Sequence, residues 1–89
     1  MRFSWQLLRR KPEGFDVLSH GRSPTLRASF AAIIGEGKAM ERQEDVRRLW
    51  FEVRDGEQAA AEGDMLSLPT DHAMLTDQFM EKWGGGPGR

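Results

Sequence analysis

The chain has 89 residues, 38% hydrophobic and 30% charged, with a formal net charge of −1 and no cysteine. That length fits one domain with a small core, and a mean hydropathy of −0.62 is polar, yet three Trp and five Phe argue for a folded chain. The missing cysteines exclude disulfide staples, thiolate catalysis and the common structural zinc sites, and they favour a reducing compartment, so a cytoplasmic location is expected.

The near-zero net charge hides an asymmetry. Residues 1–27 carry six basic and two acidic side chains (+4), residues 28–64 five and nine (−4), and residues 65–89 two and three (−1). A basic end and an acidic middle either attract each other within the fold or present a basic patch to an acidic partner. The apolar run Phe3 to Leu8 is followed at once by Arg9, Arg10 and Lys11, which does not suit a signal peptide. The run Phe30 to Ile34 is far short of the ~20 residues needed to cross a bilayer, so no membrane partner is expected.

In chain order, Phe3, Trp5 and Leu7 alternate with Arg2, Ser4 and Gln6, the period of a half-buried strand. Arg9 to Gly14 contains Pro12 and Gly14 and reads as a turn. Phe15 and Val17 alternate with Asp16 in a second strand that closes at Gly21, giving an N-terminal antiparallel β-hairpin. Leu8 and Leu18 fall on the opposite face, so neither side of the ribbon is wholly polar.

Ser23-Pro24 has the form of a helix start, a serine N-cap and a proline in the first turn. Leu26, Phe30, Ile33, Ile34 and Met40 keep one helical face, and Gly35 and Gly37 weaken the segment. Val46, Leu49, Trp50 and Val53 then sit at i, i+3, i+4 and i+7 after Glu44-Asp45, which predicts a second helix. Its stripe is out of phase with the first, so a break between Gly35 and Asp45 is expected. Leu49, Phe51 and Val53 also fit a strand turning at Asp55-Gly56. Gln58 to Glu62 is a poor return strand, however, because Ala and Glu are depleted in strands, and the helix is preferred.

Leu66 to Pro69 reads as an extended connector, and Thr70 or Asp71 caps a last helix bearing Leu75, Phe79 and Trp83 one turn apart, with Met80 beside them. The expected fold is α+β: residues 1–83 form a single domain in which the hairpin packs against two or three α-helices, and residues 84–89 form a flexible Gly-rich tail.

Motifs with chemistry are weak. Gly35-Glu36-Gly37-Lys38 lacks the earlier glycine and following Ser/Thr of a phosphate loop, holding Ala32 and Ala39 there. His20 and His72 form no spaced pair, and the nine carboxylates of the acidic middle form no calcium loop, so no metal or cofactor is expected.

Two surfaces remain. Leu75, Phe79, Met80 and Trp83 make an aromatic and Met-bearing stripe suited either to closing the core or to docking on another protein or a second copy. Arg9, Arg10 and Lys11 cluster at the hairpin turn near Trp5 and could contact an acidic partner or nucleic acid, against a sequence pI near 6.1. The reading that follows is a small non-catalytic accessory or regulatory protein, of subunit or inhibitor type, that binds a larger protein. A nucleic-acid-binding module using the basic hairpin, and a small enzyme with its site at a dimer interface, are the alternatives.

Overall fold

A computed structural model describes residues 1–83; the expected Gly-rich tail lies outside the described residues. The N-terminal hairpin is present. Strand β1 (Phe3–Lys11) pairs antiparallel with β2 (Gly14–Ser23) through the turn at Pro12-Glu13, from Phe3↔Ser23 to Lys11↔Gly14. One irregularity breaks the ladder. Leu7 pairs with Ser19 but Leu8 pairs with Val17, so Leu18 is an extra residue in β2.

Helix α1 (Leu26–Ala39) follows, capped by Thr25, whose Oγ1 accepts from the Ala28 N–H at 3.0 Å. The cap is thus two residues later than the serine start suggests, because Ser23 is held in β2 as the partner of Phe3. Leu26, Ser29, Phe30, Ile33, Ile34 and Gly37 form the buried face. The helix runs through both glycines. Gly35 is exposed, and Gly37 lies under the tip of the Met65 side chain.

The expected second helix does not form. Asp45 caps a single 3-10 turn, Val46–Arg48, by accepting from the Arg47 N–H. The chain then extends as β3 (Leu49–Asp55), turns at Gly56 (φ +64°) and returns as β4 (Gln58–Asp64). The fold is therefore a four-stranded antiparallel sheet, β2-β1-β3-β4, with one full-length helix on one face, not a hairpin packed against two or three helices. The reason is tertiary. β3 is an inner strand, paired with β1 over Arg9↔Leu49 to Phe3↔Asp55 and with β4 on its other side. Two ladders outweigh the intrinsic preference of one amphipathic segment. Leu49, Phe51 and Val53, read on a period of two, are each 1% exposed or less.

The last expected helix is also reduced. Asp71 caps a 3-10 turn, His72–Met74, and Thr76 caps the short α2 (Asp77–Glu81). The core lies between the sheet and α1, built from Phe3, Trp5, Leu7, Phe51, Val53 and Ala61 on the strands against the helix face. Among the described residues, no helix is long and apolar enough to cross a membrane.

Candidate functional site

The C-terminal stripe closes the core. Leu75 and Met80 are 5% and 4% exposed, and Phe79 and Trp83 are half-buried against the same cluster. The Trp83 ring meets Phe30 and Phe51 edge-on, with centroids 5.3 and 5.6 Å apart, and Phe79 meets Phe30 at 6.4 Å. The four residues are thus brought together, but on the helix side of the sheet. The Trp83 indole N–H is buried and has no acceptor among the described residues.

The basic turn is tied to acids. Arg9 holds Asp16 and Glu44, each at 2.8 Å, and Lys11 holds the other Asp16 oxygen at 2.7 Å. Lys11 and Arg9 together keep the Asp16 carboxyl below its ordinary range by donating hydrogen bonds to its charged form. Arg9 is raised in turn, through its hydrogen bond to Asp16 and the charge of Glu44. Arg10 leaves on the other face of β1. It donates to the Arg47 carbonyl at 2.7 Å, reaches Asp64 at 3.4 Å and lies 5.6 Å over the Trp50 ring. Basic end and acidic middle therefore meet within the fold, reinforced by Arg2 to Asp55 at 2.8 Å.

One surface escaped the sequence reading. Side chains alternate across a strand, so with Phe3, Trp5 and Leu7 facing the helix, Ser4, Gln6, Leu8 and Arg10 face away. On β3 the same logic turns Trp50, Glu52 and Arg54 outward. The extra residue at Leu18 inverts the phase of β2: Ser19, Gly21 and Ser23 face the helix, while Phe15 and Val17 join the outer face beside Arg10 and Leu8. Phe15 is 51% exposed and Val17 55%, with the Phe15 ring 6.5 Å from that of Trp50. Leu8, between Val17 and Trp50 in the ladder, is only 6% exposed. The outer face thus has an apolar patch of Leu8, Val17, Trp50 and Phe15 that runs from the β2 edge to β3 at the turn end of the first hairpin. The signal was legible as two apolar sets of opposite phase in one hairpin, but the pattern alone does not say where the phase changes.

Register also sets the polar frame of this face. One cross-strand row reads His20, Gln6, Glu52, Glu62, and the next Val17, Leu8, Trp50, Asp64. The β2 edge carries His20 and Arg22; the β4 edge carries Glu62 and Asp64.

A cleft of about 340 Å³ opens at the C-terminal end of α1, walled mainly by Ile34, Leu49, Met65 and Leu68, with Lys38, Glu41 and Glu44 at its rim. Among the described residues, no histidine, cysteine or serine lines it. Gly35-Glu36-Gly37-Lys38 lies within α1 and makes no phosphate-cradling loop. Among the described residues no three His, Asp or Glu side chains gather at metal-binding distance. Comparison of the chain with protein-family models, with curated proteins and with solved structures gives no significant match.

Proposed function

We propose that this chain is a small non-catalytic protein-binding module, acting as an accessory or regulatory component in the cytoplasm, and that it binds through the outer face of its sheet. The observation that carries the reading is the exposure of Phe15 and Val17 beside Trp50 on that face. An antiparallel sheet that faces water on one side ordinarily alternates to polar residues there, and clustered exposed apolar groups rimmed by charge mark interaction surfaces. Aromatic residues and arginine, here Trp50, Phe15 and Arg10, are the types that dominate interface energetics. The stripe of Leu75, Phe79, Met80 and Trp83 serves this reading indirectly, by completing the core that holds the sheet flat against α1.

Nucleic-acid binding has less support. Glu52, Glu62 and Asp64 share the face with Arg10 and would repel phosphate, and Arg9 and Lys11 already neutralise Asp16 and Glu44.

The test is capture from nuclease-treated host lysate with tagged wild type and with Val17→Glu, which alters an exposed position. The wild type retains a stoichiometric protein that the variant loses while both melt at the same temperature. A partner that disappears with nuclease, or that binds both proteins equally, overturns the reading.

A further inference from the structure

We infer that the outer face of the sheet is covered by a second copy of this chain, in a face-to-face dimer whose two-fold axis runs parallel to the strands between β1 and β3. This rests on the outer face being the binding surface and names its occupant. Charge placement favours a second copy as the occupant. The β2 edge carries the cation Arg22 beside the His20 imidazole, and the β4 edge is acidic, with Glu62 and Asp64. Among the described residues Arg22 and Glu62 make no ion pair or side-chain hydrogen bond, so uncommitted charge of opposite sign stands at the two edges. A two-fold parallel to the strands lays β2 of one copy over β4 of the other, and does so twice, as an isologous contact requires.

The rows then match. The row His20, Gln6, Glu52, Glu62 lies reversed on itself, placing His20 against the partner's Glu62, with Arg22 diagonally within reach of the same carboxylate. The row Val17, Leu8, Trp50, Asp64 lies reversed likewise, seating Trp50 on the partner's Leu8. Leu8 and Trp50 of the two copies meet about the axis, Val17 lies against the partner's Asp64, and aligned sheet packing accommodates the twist of both sheets. Strands about 4.8 Å apart and about 20 Å of ladder give roughly 400 Å² of flat face per copy. That is below the ~800 Å² per partner of a standard interface, so association in the micromolar range is expected, not a permanent dimer.

The experiment is sedimentation equilibrium of the full chain over a concentration series, with Arg22→Glu, Glu62→Arg and their equimolar mixture. Wild type shifts with concentration from 10.1 kDa towards twice that mass. Each single variant, facing like charge across both edges, dissociates about tenfold more readily. The mixture restores dimerisation, because Arg22→Glu in one copy meets Glu62→Arg in the other while the native pair forms at the second edge. Val17→Glu abolishes association, and in dilute solution where the wild type is monomeric the two melt at the same temperature. A wild type that stays monomeric at hundreds of micromolar overturns the dimer. The binding surface itself then stands or falls on whether Val17→Glu still loses its captured partner. A dimer indifferent to all three substitutions, or a mixture no better than its components, overturns both the geometry and the assignment of the face.

Discussion

Trp5 and Gly21 show how one side chain constrains a neighbouring strand. The two are cross-strand partners facing the helix, and a Cβ built on Gly21 would lie 2.6 Å from Trp5 Cζ2. The indole is buried and ringed by core, so it has little room to retreat. Gly21→Ala is expected to cost about 1–3 kcal/mol, the usual range for overpacking, whereas Gly35→Ala, with open space and a helical backbone, should stabilise by about 0.5–1 kcal/mol. Chemical denaturation of the two variants checks the opposite signs. Trp83 is the other decisive residue. Because its ring packs edge-on to Phe30 and Phe51, Trp83→Ala should lower stability by about 2–3 kcal/mol, somewhat less than a fully buried aromatic loses. An unchanged denaturation midpoint would mean that the stripe does not close the core.

At the scale of elements, local signals placed α1 well and β3 badly. The stripe Leu26, Phe30, Ile33 and Ile34 is the buried face of a real helix, but the change of phase after it marks the passage into strand and not a second helix. Its cap was misassigned because Ser23 and Thr25 are both good capping residues, and only pairing of Ser23 with Phe3 reserves it for β2. Thr25→Ala should therefore cost about 1 kcal/mol and Ser23→Ala less, measured by thermal melts of the two variants. Residues 46–53 satisfy helical and strand periods together, since Leu49 and Val53 belong to both. The choice fell to β1, whose inner residues Phe3, Trp5 and Leu7 needed a partner strand that the hairpin alone did not supply. Ala59 to Ala61 then became strand in spite of composition, because β4 is an edge that small residues can occupy beside Val53.

For the whole molecule, the ion pairs decide how stability depends on pH. Asp16 has its carboxyl held below the ordinary value of 3.8 by Lys11 and Arg9, and Asp45 by Arg47. A depressed carboxyl contributes stability that is fully present above its unfolded pKa and disappears as pH falls through the folded one. The melting temperature should thus be level from pH 5 to 8 and fall below about pH 4. Asp16→Asn should fall less steeply over that acid range, starting from a slightly lower plateau. These groups are well exposed and the pairs are screened by water, so the plateau difference should be small.

By itself, the sequence determined what short-range chemistry controls: the hairpin, the first helix with its buried face, and the separation of a basic end from an acidic middle, whereas the two further helices it suggested gave way to strand and short turns. The tertiary structure alone decided that Leu49 to Val53 is an inner strand, that Leu75, Phe79, Met80 and Trp83 close the core, and that Arg9 and Arg10 reach Glu44 and Asp64 far along the chain while Lys11 holds Asp16 within the hairpin. It also decided which residues remain exposed. A single extra residue at Leu18 turns Phe15 and Val17 from the helix side to the water side. A strand's two faces differ only by a shift of one residue, and that shift is fixed by the partner strand, not by the residues that undergo it.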